Sequence, residues 1–179
     1  MALTFEISDI AYIEKEQGQL SQALADYQQV ETIRSELAAA DPKNQHAHRS
    51  LAETESRIGS ILWDMGRREA AMAAAQKALA LREVLAANDA KDLGMQIDLA
   101  RSYLDFGDYY ATSASESRAA AADRLALWRR ARDFYRRAQQ ITAAVKARED
   151  ASAPNLPFEQ NVAEGMTKCE RAIAQLTQN

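Results

Sequence analysis

The sequence predicts an all-α protein, in which antiparallel helix pairs stack into a superhelical array of about seven helices. Three observations predict it. The 179 residues include 37 Ala but only 6 Gly and 3 Pro, so helix-formers are abundant and turn-formers scarce. A self-match runs through the chain at a fixed offset of 48 residues. Within each repeat the apolar residues recur every three or four positions, the period of a helix with one buried face. Charged residues at 27% and apolar residues at 47% make a globular balance that excludes wholesale disorder. The single cysteine, Cys169, excludes an internal disulfide framework and any multi-cysteine metal site. No stretch of about 18 apolar residues is present, and Glu6 and Asp9 break up what a secretory leader would need. The expected location is the cytoplasm.

The repeat fixes the order of elements. Leu3 falls on Leu51, Ile10 on Ile58, Ile13 on Ile61, Gly18 on Gly66, Ala23 on Ala71 and Asp41 on Asp89. Ile33 and Arg34 fall on Leu81 and Arg82. A third repeat opens with Leu99 and Ala100 on Leu51 and Ala52, and Phe106-Gly107 on Ile58-Gly59. After Ala114 it needs an insertion of 12 residues, beyond which Ala131, Tyr135, Ala138 and Ile141 match Ala71, Ala75, Ala78 and Leu81. One domain spanning 1–179 follows, with repeats at 3–50, 51–98 and 99–157, an insertion near 115–127 and a capping helix at 158–177. Three stacked pairs are about the number such an array needs to bury its apolar faces.

Each repeat reads as two helices. In the first, Ile7, Ile10 and Ile13 form the apolar face, and Gly18 ends it where a left-handed backbone is cheapest without a Cβ. The second runs from Leu20 to Ala40 with Ala23, Leu24, Tyr27, Val30, Ile33 and Leu37 on one stripe. Asp41-Pro42-Lys43-Asn44 stops it, because the residue before proline leaves helical space, and Asn44 can cap the next helix. Gly59, Gly107, Ala23, Ala71 and Ala131 sit where helices must approach closely. The insertion is read as a backward extension of the sixth helix through Ala119–Leu127, with Ser113, Ser115 and Ser117 as turn and cap. The last helix mixes Val162, Met166, Ile173 and Leu176 with Glu159, Lys168 and Arg171, as a polar-backed cap would.

Gly59, Leu62, Gly66, Ala71, Ala78 and Leu79 resemble the tetratricopeptide-repeat signature, and Tyr27 and Tyr135 meet its large aromatic, which repeat two replaces with Ala75. The period of 48 exceeds the usual 34 or so, so the helices should be long. The stretch Leu37 to Asn44, the run Asp98 to Tyr103, Phe134-Tyr135-Arg136-Arg137 and Lys168 to Ala172 are similar to a long-repeat subgroup on the C-terminal side of bacterial serine/threonine kinases. The resemblance implies a right-handed superhelix and a concave face, lined by the first helix of each pair, that binds peptides or protein partners.

Carried over residue by residue, that face holds Phe5, Ser8, Tyr12 and Lys15, then Glu53, Ser56, Ser60 and Trp63. It continues through Arg101, Leu104, Asp108 and Ala111, and ends at Asn161, Glu164, Lys168 and Arg171. Tyr12 and Trp63 are the candidate aromatic anchors, unless both simply pack against neighbouring helices. The Lys and Asn of a chaperone carboxylate clamp are replaced by Ser8, Tyr12, Ser56, Ser60, Leu104 and Asp108, so that clamp is not expected.

Charge is uneven: residues 1–98 carry 16 acids against 10 bases, and residues 99–158 carry 7 against 10. Arg129, Arg132 and Arg136 share one helical face, a ridge that could hold phosphate or an acidic partner, or simply face solvent. A net charge of −4 argues against nucleic acid. Asp105-Phe106-Gly107 spells a kinase triplet without the rest of a kinase. His46 and His48 lie about 200° apart on a helix, so one ion cannot take both, and Cys169 reads as a small buried hydrophobe. No catalytic constellation, cofactor or metal site is expected. The function implied is a non-enzymatic scaffold for a protein or peptide, as a monomer or weak homodimer. The alternative is a self-association module whose groove holds its own chain or another copy. Leu3 already stands in register, a start that either a cut fragment or a free-standing array would show.

Overall fold

A computed structural model describes residues 2–148 and 158–178. Among the described residues there are seven helices and no strand: α1 (Ala2–Glu16), α2 (Leu20–Ala40), α3 (Gln45–Asp64), α4 (Arg68–Asn88), α5 (Leu93–Glu116), α6 (Ala121–Lys146) and α7 (Glu159–Thr177). Within α1–α4 and within α5–α7, consecutive helices pack on one another as helical repeats require. The chain divides into two compact units, Met1–Asn88 and Asp89–Asn179. The end of repeat three, 149–157, and the side chain of Leu3 lie outside the described residues.

The turns repeat as the sequence does. Gly18 and Gly66 hold φ of +77° and +74°, conformations in which a Cβ would be strained. Around each, two backbone bonds close the helix end: Gln19 N–H to Glu14 O and Gly18 N–H to Lys15 O, then Arg67 N–H to Leu62 O and Gly66 N–H to Trp63 O. This paired 6→1 and 5→2 pattern satisfies carbonyls that the helix leaves open. The next helix starts are also built alike. Asn44 Oδ1 accepts from Ala47 N–H at 3.0 Å, and Asp92 Oδ1 from Met95 N–H at 3.0 Å; each such cap is worth about 1 kcal/mol.

In the first unit the core joins Ala11, Ala23, Leu24, Tyr27, Ile58, Ile61, Leu62, Ala71 and Ala74. Complete burial of a side chain such as Ile61 contributes about 1.5–3 kcal/mol. Gly59 lets α3 and α4 close up, since a Cβ there would stand 3.2 Å from Ala71 O. Two apolar expectations are corrected. Ile10 and Ile13 are 52% and 54% exposed, whereas Ile58 and Ile61 at the same register are 4% and 0%. The reason is position: α3 is packed between α2 and α4, while α1 packs chiefly on α2 and meets α3 through contacts such as Lys15 to Ser60. Leu37 is also exposed, and Ile33 only half-buried; Leu79 is buried as expected.

In the second unit α6 packs on α5 and α7. Phe106 and Phe134 stack at 5.0 Å between ring centroids, and Tyr110 lies at 5.6 Å over Phe134. Tyr135 is buried between Gly107 and Gly165: a Cβ at either would meet its ring at 2.5 Å. The insertion is shared between two helices. Ser113 and Ser115 belong to α5, not to a turn, and Ser115 Oγ donates to Ala111 O. Ser117 caps α5, its Oγ accepts from Ala119 N–H, and α6 begins at Ala121. On α7, Val162, Gly165 and Cys169 face inward. Burial pushes the Cys169 thiol up to about 11, which leaves it an unreactive, small apolar group.

Candidate functional site

On α1 and α3 the predicted face is assembled side by side. Lys15 Nζ donates to Ser60 Oγ at 2.9 Å and lies 3.4 Å from the Asp64 carboxylate. Tyr12, 46% exposed, lies under the Arg57 guanidinium at 5.6 Å, and Arg57 in turn pairs with Glu53 at 3.7 Å. Phe5, 49% exposed, lies beneath Arg34 at 5.7 Å. Ser8 Oγ donates to Thr4 O and accepts from Arg34 Nη2. Ser56 is half-buried. Trp63 differs from Tyr12: it packs partly against the core, and Arg68 covers its ring at 3.8 Å. Cation–ring pairs of this kind hold exposed aromatics in place at about 0.5–1 kcal/mol each.

In the second unit, Asp108 Oδ1 accepts the Tyr135 hydroxyl at 2.7 Å. Burial raises the Asp108 pKa, opposed by that bond and by the Lys168 charge. Burial likewise raises the Tyr135 pKa, with Asp108 adding to it. Lys168 Nζ stands 5.7 Å from the Trp128 ring. Around this pair α6 and α7 form an open cavity of about 610 Å³, lined by Trp128, Glu164, Thr167, Lys168 and Arg171 among others. Arg101 is exposed over Phe158 at 5.8 Å, and Asn161 is exposed. Leu104 and Ala111 are corrections: both are buried and offer no surface to a ligand. Trp128 is the residue that sequence reasoning missed. It stands on the arginine-rich helix, and its spacing alone does not say that Lys168 will cross it.

The arginine ridge is more occupied than its spacing suggests. Arg129 is exposed, but Arg136 Nη1 pairs with Asp133 at 3.0 Å and Arg132 Nη2 lies 3.9 Å from the same carboxylate. Neighbouring Arg130 and Arg137 lie over Tyr110, Tyr103 and Phe134 at 5.5–5.7 Å. His46 is exposed, and His48 Nε2 is 3.1 Å from Pro42 O. Among the described residues no group of three or more His, Cys, Asp or Glu is placed to hold a metal ion, and no helix is long and apolar enough to cross a membrane.

Comparison with known proteins agrees with this architecture. The tetratricopeptide-repeat family profile matches residues 56–84, within α3 and α4. Among solved structures, the crystal structure of BtubC (BKLC) from P. vanneervenii is similar, with a TM-score of 0.58 at 16% identity over 98% of this chain. This chain spans 62% of the length of that one, and at such identity the likeness is one of fold. No curated protein matches. The profile thus marks one tetratricopeptide-like repeat at residues 56–84, and the neighbour shares the helical-repeat fold.

Proposed function

We propose that this chain is a non-enzymatic, cytoplasmic scaffold that binds a protein or peptide along the face formed by the first helices of its repeats. The repeats 3–50, 51–98 and 99–157 with their capping helix act as one domain in this reading. The observation that carries it is the row of large aromatics on α1: Phe5 and Tyr12 stay on the surface, each beside an arginine, next to the Lys15–Ser60 contact. Exposed aromatics braced in this way suit a partner's side chains. In the second unit, Arg101, Asp108 and Lys168 are the polar residues that this reading assigns to binding. The resemblance of Leu37–Asn44 and the chain's last helix to kinase-associated repeats supports a finer role as the regulatory tail of a bacterial signalling kinase.

Selection from a displayed random-peptide library tests the binding role. The wild-type chain should enrich a peptide class that the Tyr12→Ala/Trp63→Ala variant binds at least about tenfold more weakly, a loss of roughly 1.4 kcal/mol. Full affinity in a double variant that remains helical would sink the assignment of these residues. The exposed Ile10 and Ile13 favour the second reading, self-association, and light scattering separates the two: a concentration-dependent dimer supports it, a monomer the peptide face. The mass of the native gene product, captured by antibody, tests the tail. A mass near 19.8 kDa removes the attached kinase, and a mass larger by a kinase-sized domain supports it.

A further inference from the structure

A second site adjoins the Phe5 end of the aromatic row, where the start of α1, the end of α2 and the start of α3 meet. There a cavity of about 180 Å³, roughly six water volumes, is lined by Phe5, Arg34, Leu37, Asp41, His46 and Ala47 among others. Arg34 is its unusual member. Its side chain is only 6% exposed, yet its hydrogen bonds go to neutral groups: Ser50 O at 3.0 Å, Thr54 Oγ1 at 2.8 Å and Ser8 Oγ at 3.3 Å. A buried guanidinium normally stands opposite a carboxylate, because desolvating a lone charge is expensive. The offset of 48 places Arg82 on Arg34 and Asp98 on Ser50. Repeat one therefore has a hydroxyl at the register position where the next repeat has an acid.

We infer that this cavity binds a carboxylate carried on a small apolar body, with Arg34 as its charge partner. The walls supplied by Phe5, Leu37 and Ala47 suit the apolar part, and the positive end of the α3 dipole adds to the field that draws the anion. A guanidinium and a carboxylate match in shape and make the stronger class of hydrogen bond. A doubly charged phosphate suits the cavity less well. Asp41 stands at the rim, with its Oδ1 accepting from Lys43 N–H, and one arginine cannot offset two charges beside it. Glu53 acts on Arg34 only as a nearby charge and is itself held by Arg57. The site goes beyond the peptide face and does not depend on Tyr12 or Trp63.

Titration of the ¹⁵N-labelled chain with benzoate tests the site, with uncharged benzamide as its isostere. Benzoate should shift the Arg34 Nε–H, Ala47 and Ser50 resonances saturably, with a dissociation constant at least about tenfold below that of benzamide. Arg34→Met should abolish the benzoate shifts. If that variant fails to fold, the comparison of benzoate with benzamide on the wild-type chain still decides. Equal binding of the two probes, or no saturable shift at those resonances, overturns the assignment. Two further probes separate the sources of the carboxylate. Tighter binding of N-acetyl-leucine supports a chain end, and tighter binding of N-acetyl-aspartate amide supports an acidic side chain. These shifts are read without any peptide partner, so they stand or fall apart from the proposed scaffold role.

Discussion

Tyr135 donates its hydroxyl to Asp108 across 2.7 Å, and this bond fixes the ring that α6 inserts between α5 and α7. Gly107 and Gly165 make the space for it, because a Cβ at either position would stand 2.5 Å from the ring. The contact therefore joins three helices through one side chain. Tyr135→Phe should cost about 1–2 kcal/mol by removing a bond to a carboxylate, and Tyr135→Ala about 3–5 kcal/mol by leaving a cavity. Gly107→Ala should cost about 1–3 kcal/mol through overpacking. Urea denaturation of the three variants checks the order, and a Gly107→Ala chain as stable as wild type would remove the close approach.

The helix ends make a different prediction, since nothing stands within 4 Å of a Cβ built at Gly18 or Gly66. Space is available there, and only backbone strain opposes a side chain. Gly18→Ala and Gly66→Ala should each cost about 1–2 kcal/mol, the penalty for a left-handed residue bearing a Cβ. Similar losses at both sites, measured by thermal unfolding, would confirm that the two turns are one device used twice. A cost at neither would mean that the turn relaxes into another shape.

The turns were readable because their chemistry is local. Gly18 and Asn44 act on backbone groups within a few residues, so spacing alone discloses them. Burial on α1 was not, because Ile10 and Ile58 have the same spacing and differ only in how many helices flank them. The same limit hid Arg34. On a helical wheel it interrupts the apolar stripe, and only the meeting of three helices shows that it is enclosed. The same limit applies to Leu104: that it is enclosed depends on how α5, α6 and α7 settle, and no periodicity records that.

Burial of the second-helix stripe separates two isoleucine-sized truncations. Leu79 is 8% exposed, so Leu79→Ala should cost about 2–5 kcal/mol. Ile33 is only half-buried, and water can occupy part of the space its side chain leaves. Ile33→Ala should therefore cost about 1 kcal/mol, within the range of partly exposed substitutions. Denaturant midpoints of the two variants check the difference, and equal losses would mean that Ile33 is as enclosed as Leu79.

A buried ion cluster on the first unit makes stability depend on pH. Glu55 on α3 is 4% exposed and accepts from Lys77 Nζ on α4 at 2.9 Å, while Glu31 on α2 takes the same ammonium at 3.1 Å. Burial pushes the Glu55 carboxyl from 4.5 up to about 7, with Glu31 adding to the rise and Lys77 opposing it. Between these two values the folded chain holds a proton that the unfolded chain has released. The stability linked to that proton is complete below pH 4.5 and is lost as pH rises through about 7. The Lys77 pKa is raised, chiefly by its bond to Glu55, so its contribution persists across this window. Glu55→Gln removes the titration while keeping the shape of the side chain. Wild-type stability should therefore fall relative to Glu55→Gln across the window, by at most about 1.4 kcal/mol per pH unit. Guanidinium unfolding at several pH values measures the difference, and parallel curves for the two proteins would show that Glu55 stays charged in the fold.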